Sequence, residues 1–253
     1  NIDIVQEGKV YNISDIRIRS IEGSKEINSI YFNDSKAYLS CGFGIVVLDL
    51  ERKEIYDTYY VGENSSKIEV NAVTINDTSI FAATVNGLLY APKNSTALAA
   101  SQTWKKVPNI ANQGKDNLGI TNLLSLGNGK ILITLPIAQT TFCDAFTFDG
   151  EEWNKIFENE YIKSLRLSEG KLIKIAYRSL NIYDVNNLVN GGEIYHLSDE
   201  WNPVHGIHLD INDAIIDSQD LWLAHQTKGL IRLKDYRNGT HNKSEHFPDG
   251  PKS

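Results

Sequence analysis

Methionine is absent from the 253 residues, and cysteine, tryptophan and proline are scarce, at 2, 4 and 6. Without an initiator methionine the chain opens on NIDIV, already strand-like, so the missing leader says nothing about compartment. No stretch approaches the ~18 apolar residues that a membrane-spanning helix needs. No basic block or basic helix stands out either. The 25 basic and 32 acidic residues are mixed along the chain, for a formal charge of −7, which makes nucleic acid and anionic membrane surfaces poor partners. Cys41 and Cys143 each sit in an apolar strand-like run and read as buried free thiols. A disulfide between them requires neighbouring strands.

The motifs of familiar catalysts are missing too. There is no GxSxG, HExxH, P-loop or EF-hand pattern, and nothing calls for a cofactor. The Asp-box of sialidase propellers is approached only by TFDGEEW and not matched.

What is present is ordinary globular composition, 41% apolar and 23% charged, and a repeat. The phrase INSIYFNDSKAYLS from Ile27 returns as VNAVTINDTSIFAA from Val70, ITNLLSLGNGKILIT from Ile120, IKSLRLSEGKLIKIA from Ile162 and INDAIIDSQDLWLAH from Ile211. Asn33-Asp34, Asn76-Asp77, Gly127-Asn128-Gly129 and Glu169-Gly170 supply the Asx or left-handed chemistry of tight hairpins. The flanking runs are rich in β-branched and aromatic residues, and several alternate, among them IRIRSI (Ile16 to Ile21) and LIKIAY (Leu172 to Tyr177). Only NSTALAASQ, near Asn94, suggests a helical turn or two.

Four strands per unit of about 45 residues define an all-β fold, a β-propeller with four-stranded blades. Five units are visible, and the leading NIDIVQEGKVYNISDI reads as the outer half of an earlier blade, for a six- or seven-bladed ring. In KAYLSCGFGIVVLDL the first run is expected to be an inner strand and GIVVLDL its outward partner, with glycines where the chain turns and crowds. TWKKV and EEWNKIF mark outer strands, and Trp104, Trp153 and Trp222 are read as packing residues. Residues 1–235 form the propeller domain, and 236–253 a last outer strand and a linker toward a following domain. The longest insertions fall within Ala91 to Gly119 and Ser198 to Asp210, and trimming Ala91 to Ala100 is expected to leave melting nearly unchanged.

Candidate sites are few, and the fold alone decides nothing about activity. VHGIHLD offers His205, His208 and Asp210, but strand alternation would put the two histidines on opposite faces, so a solvated loop is the expectation and no metal is assigned. DAFTFDGEEW gathers Asp144, Asp149, Glu151 and Glu152 around a turn. Paired carboxylates can hydrolyse glycosides, yet charges at a glycine turn are usually solvated. Tyr59, Tyr60, Trp201 and His225 are the best candidates for an aromatic binding rim. Asn64 and Asn94 head Asn-x-Ser/Thr triplets. No catalytic, cofactor, metal or ligand-binding residue is assigned.

LWLAHQTKGLIRL (Leu221 to Leu233), IFAATVNGLLYA and AYLSCGFGIVVLDL resemble the unit of the two-component-regulator type propeller of Bacteroidetes, in which an apolar pair precedes Gly-Leu. Across residues 1 to 110, the runs NIDIV, VYNISDI, INSI and AYLSCGFGIVVLDLERKEIYDTYYVG, then VNGLLYAPK and TWKKVP, resemble the first propeller of the PorZ family, and HFPDGP resembles that family's junction to a second propeller. The resemblance implies two propellers and a β-sandwich sorting domain at the outer-membrane surface. It also implies membership of the type IX secretion attachment complex, which is implicated in delivering anionic lipopolysaccharide to the sortase. Such proteins are accessory binders, so the expectation is a non-catalytic extracytoplasmic binding or scaffold propeller whose partners are lipopolysaccharide or proteins of a secretion complex. The alternatives are a sensor ectodomain of a hybrid two-component system, detecting polysaccharide fragments, and a glycan-cleaving propeller enzyme.

Overall fold

The repeated phrase is in every case the first strand, and most of the second, of a four-stranded antiparallel sheet. The computed structural model describes residues 2–18, 20–21, 23–114, 117–198, 210–238 and 244–247. After a hairpin of β1 (Ile2–Gln6) and β2 (Lys9–Ile13), blade 1 contains β3 (Ile27–Asn33), β4 (Lys36–Cys41), β5 (Gly44–Asp49) and β6 (Glu54–Tyr59). Blade 2 contains β7 (Val70–Ile75), β8 (Ser79–Thr84), β9 (Gly87–Pro92) and the two-residue β10 (Lys105–Lys106). Blade 3 contains β11 (Asn122–Gly127), β12 (Lys130–Pro136), β13 (Cys143–Phe148) and β14 (Trp153–Glu160). Blade 4 contains β15 (Ser164–Ser168), β16 (Lys171–Ala176), β17 (Ser179–Asp184) and β18 (Glu193–Ser198). Blade 5 contains β19 (Ile211–Asp217), β20 (Asp220–His225), β21 (Gly229–Leu233) and β22 (Ser244–Phe247). Strands pair in chain order throughout, the arrangement of a β-propeller.

The expected hairpin chemistry is in place. Asp34, Asn128 and Glu169 adopt left-handed φ of 51°, 50° and 46°. At the blade 2 turn Asn76 instead accepts from Thr78 N and Ser79 N through Oδ1, at 3.0 and 2.9 Å. In the Gly-Phe-Gly break, Gly44 has φ +145°, and a Cβ there would lie 2.4 Å from Tyr59 O. The crowding thus comes from the outer strand of the same blade, while Phe43 between the glycines is wholly buried. AYLSC is the second strand of its sheet, between β3, one hairpin earlier, and β5.

The chain divides into two compact units, Asn1–Pro136 with Ala145–Asn154, and Ile137–Asp144 with Lys155–Ser253. In the first unit three apolar layers fill the gaps between successive sheets. The β1–β2 hairpin seats Ile2 and Ile4 against Leu39, Phe43 and Val46. Val47 and Tyr59 of blade 1 meet Val73 and Ala82 of blade 2. Ala83 and Leu88 of blade 2 meet Leu123 and Ile133 of blade 3. In the second unit Ile173, Ile182 and Leu197 of blade 4 meet Ala214, Leu223 and Ile231 of blade 5, with Tyr236 beside them. Alternation of the strands puts apolar side chains on both faces of the middle strands, which suits sheets sandwiched on both sides.

The second residue of the repeat phrase ties blade to blade. Asn28 Nδ2 donates to Val70 O at 2.9 Å and Asn71 Nδ2 to Ile120 O at 2.7 Å. In the second unit Lys163 Nζ reaches Asn212 Oδ1 at 2.8 Å. Sheets that share no main-chain ladder are thereby fixed in register by side chains.

Two local expectations are corrected. Ile16 to Ile21 alternates, yet Asp15–Ile18 is one helical turn, α1, because Arg17 N and Ile18 N both find Ser14 O, at 2.9 and 3.1 Å, and no strand is offered alongside. The expectation that Ala91 to Ala100 is a peripheral insertion does not agree with its packing. Ala91 is a buried strand residue, Leu98 packs into the core between blades 1 and 2, and Leu98 O accepts the Trp104 indole N–H at 2.8 Å. Of the other expected insertion, Ser198 to Asp210, residues 199–209 lie outside the described residues, as do 239–243 and 248–253 of the expected last strand and linker, 236–253.

Candidate functional site

A cleft of about 640 Å³ opens between blades 2 and 3 of the first unit. One wall is aromatic. Phe81 of β8 and Tyr90 of β9 face it with ring centroids 6.2 Å apart, and Phe148 of β13 lies stacked on Trp153 of β14 at 4.5 Å. These positions follow from period-2 alternation: residues 81 and 90 are register partners across β8 and β9, so both side chains leave the sheet on one face.

The other wall is polar and comes from turns. Asn76 Oδ1 closes the β7–β8 turn, and Asn76 Nδ2 crosses to Gly129 O of blade 3 at 2.7 Å, which holds the two rims together. Asp149 Oδ1 accepts from Glu151 N at 3.0 Å and Glu152 N at 2.9 Å. The Glu152 and Glu151 amides hold the Asp149 carboxyl below the usual carboxylate range, so it is charged at neutral pH. A third segment, Pro108–Asn112, enters from the link between blades. Asn109, Ala111 and Asn112 all sit at left-handed φ, 46°, 54° and 58°, held by Ile110 and Ala111 buried beneath them and by Gly114 N bonding Asn109 Oδ1 at 2.8 Å. Left-handed residues that are not glycine are costly and persist where the surroundings impose them.

The cleft thus offers carboxylates at Asp77, Asp149 and Glu151, amides at Asn109 and Asn112, and ring surface, with no lysine or arginine in its lining. Among the described residues no group of three His, Cys, Asp or Glu side chains is placed to hold a metal ion.

Sequence reasoning found part of this site. Asp149, Glu151 and Trp153 line it, and Trp153 also packs against the core between blades 2 and 3, as expected. Asp144 is turned to structural use, accepting from Asn159 N at 2.8 Å and pairing with Lys155 at 3.0 Å, while Glu152 is exposed. The aromatic rim is corrected at Tyr59, which is buried against Trp104 at 6.3 Å, and Tyr60 packs toward Phe43 at 6.4 Å. His225 is buried too, its Nδ1 accepting from Thr227 N and Lys228 N at 3.2 Å. Trp222 stacks on Phe247 at 5.3 Å with the Arg232 guanidinium over its ring. Asp210 leads into β19, its carbonyl accepting from Gln226 N. His205, His208 and Trp201 lie outside the described residues. Asn64 and Asn94 are exposed. Phe81, Tyr90, Phe148, Asn109 and Asn112 were not anticipated; nothing in a single sequence separates them from packing and loop residues.

The fold and this cleft define a β-propeller with a pocket between adjacent blades. Residues 1–105 match the family model of the N-terminal β-propeller domain of PorZ of the type IX secretion system. The chain is similar in structure to PorZ of Porphyromonas gingivalis, an essential surface component of that system, at 17% identity and TM-score 0.68, over 98% of this chain and 29% of that one. It is also similar to the extracellular domain ascribed to a hybrid two-component system of B. thetaiotaomicron, at 13% identity and TM-score 0.58, over 96% of this chain and 31% of that one. Regucalcin, a calcium-binding protein of Agrobacterium tumefaciens, shares 14% identity at TM-score 0.55, over 88% and 74% of the two chains. No curated protein sequence matches the chain. The chain spans less than a third of the length of the first two structures, and identities this low establish the fold alone. No helix among the described residues is long and apolar enough to cross a membrane.

Proposed function

We propose that this chain is a binding propeller of a PorZ-like, extracytoplasmic accessory of protein secretion and cell-surface attachment, acting by recognition of a glycan or protein partner and without catalysis. The observation that carries the reading is the match of residues 1–105 to the PorZ N-terminal propeller, joined to a structural likeness to PorZ over nearly the whole chain. The cleft supports recognition over chemistry. Its charged carboxylate Asp149 has Oδ1 committed to the backbone amides of Glu151 and Glu152.

A second reading is favoured by the likeness to the two-component ectodomain: a sensor propeller that detects glycan fragments. Deletion of the gene in its host separates the two. The secretion reading expects cargo proteins to stay off the cell surface, with the chain itself open to protease on intact cells. Normal surface display of cargo, with altered transcription of polysaccharide-utilisation genes, would overturn it in favour of the sensor.

A further inference from the structure

We infer that the cleft between blades 2 and 3 is a site for an uncharged oligosaccharide and discriminates against acidic sugars, an inference that rests on the reading of the chain as a binding module. Three features of the cleft select this ligand. Its volume, about 640 Å³, lies in the ordinary range for small-molecule sites and exceeds what one planar group fills.

Tyr90 and Trp153 present ring surface backed by Phe81 and Phe148, at 6.2 and 4.5 Å, so the rings are braced before a ligand arrives. The C–H face of a pyranose packs on such a surface with little loss of side-chain freedom.

The polar rim supplies both kinds of partner that a ring of hydroxyls needs. Asp77, Glu151 and the second carboxylate oxygen of Asp149 accept hydrogen bonds and the Asn112 Nδ2 donates, while the Asn109 amide is engaged within the rim, its Oδ1 accepting from Gly114 N at 2.8 Å and its Nδ2 donating to Asn112 Oδ1 at 3.5 Å. A lysine or arginine side chain would use the acceptors and leave the Asn112 donor idle, which makes a basic peptide the poorer fit. Three carboxylates without a cation in the lining repel a uronate or phosphate group. Sensitivity to salt follows: repulsion between exposed charges is screened as ionic strength rises, so discrimination against acidic sugars narrows with salt while binding of neutral ones barely changes.

The cleft is also pre-organised. Asn76 bridges to Gly129 O at 2.7 Å across it, and the three left-handed residues Asn109, Ala111 and Asn112 hold one rim in a single conformation.

The test titrates the intact chain with maltotriose, cellotriose and mannotriose, and with trigalacturonate, by calorimetry and tryptophan fluorescence at low and high salt. At least one neutral trisaccharide is expected to bind. Trp153→Ala should weaken it at least about tenfold, and Asn112→Ala, an exposed position where the left-handed φ makes the change mildly destabilising, about three- to tenfold. Trigalacturonate should bind about tenfold more weakly or worse at low salt, with the gap closing at high salt. If Trp153→Ala does not fold, Trp153→Phe and Asn112→Ala carry the test. Absence of binding by every neutral trisaccharide overturns the inference, as does tighter binding of trigalacturonate or indifference to Asn112→Ala. Capture of a Lys/Arg-rich peptide in an Asp77- and Glu151-dependent way, with no sugar bound, would assign the cleft to a protein partner. None of these results touches the cellular test of secretion, so the two readings fail separately.

Discussion

Substituting Gly44 by alanine tests whether the Gly-Phe-Gly break is fixed by crowding or merely by turn formation. Gly44 lies at φ +145°, where a side chain has no stable conformation, and its Cβ would stand 2.4 Å from Tyr59 O in the outer strand of its own blade. Such backbone conformations cost roughly 1–3 kcal/mol in any other residue. The clash cannot be relieved by a rotamer change, because the obstacle is main chain, so β6 must move away from β5 and loosen the Tyr59 and Phe43 packing. Reduced freedom of the unfolded chain returns only about 0.4–1 kcal/mol. A net loss of about 3 kcal/mol or more is expected, a large part of a typical 5–15 kcal/mol stability.

Gly127 is the control within the same unit. It has φ +83° with nothing within 4 Å of its added Cβ, and Gly127→Ala should cost only about 1 kcal/mol. Urea unfolding, followed by the fluorescence of Trp104 and Trp153 in that unit, gives both numbers from midpoints at constant slope. Equal losses for the two variants would refute the crowding argument and leave backbone conformation as the whole effect.

The remaining predictions concern the clamps and the buried groups. Asn71→Ala removes the 2.7 Å bond to the carbonyl of fully buried Ile120 and should cost about 1–2 kcal/mol by the same unfolding measurement, against nothing measurable if the clamp is ornamental. Deleting 94–100 should lower the melting temperature, since it takes away Leu98 and the acceptor of the Trp104 indole; an unchanged melting curve would show the segment to be dispensable. Burial pushes the Cys41 thiol up to about 11 from its ordinary value of 9.0. A thiol whose folded pKa is raised stabilises fully below the lower value and loses that contribution as pH climbs to the higher one, so about 3 kcal/mol should disappear between pH 9 and 11. Cys41→Ala should flatten that fall, and native Cys41 should not react with a thiol reagent at pH 8. In blade 4, Lys174 is buried over the Phe157 ring and paired with the partly exposed Glu160. Glu160→Ala should therefore cost about 2–3 kcal/mol, more than Lys174→Met, because only the former leaves a buried charge alone; equal costs would disprove that asymmetry.

The blades were legible in the sequence because a propeller writes its core in alternation and its turns in Asn, Asp and Gly. The five phrases beginning at Ile27, Val70, Ile120, Ile162 and Ile211 each began at a first strand or two residues before one, and Asp34, Asn128 and Glu169 took the left-handed turn positions. Legibility failed where a pattern had two uses. The alternation from Ile16 to Ile21 suits a strand, but with no neighbour to pair with, α1 satisfied the backbone locally. The stretch 93–104 has the polar composition of a loop and yet folds back on the core, since one apolar residue, Leu98, and two carbonyls suffice to anchor it. Tyr59 and Tyr60 looked like a rim because strand ends are where rims occur; what buries Tyr59 is Trp104, forty-five residues on, a contact no local reading contains.

The cleft shows why function was harder to read than fold. Repetition constrains the positions that every blade needs, and a ligand site cannot be built from those alone, because each gap between blades would then carry one. The polar rim here comes from two places where the repeat is broken: the long link 107–112 after the shortened β10, and the DGEEW turn before β14. The aromatic wall comes from ordinary blade positions, Phe81, Tyr90 and Phe148, which become a binding surface only because those departures leave the gap open beside them. Specificity in such a fold therefore follows the exceptions to the repeat. On the proposed reading, a chain that kept its blades and the buried Val107, Ile110 and Ala111, and exchanged only the exposed residues of these two segments, would keep its core and change its ligand.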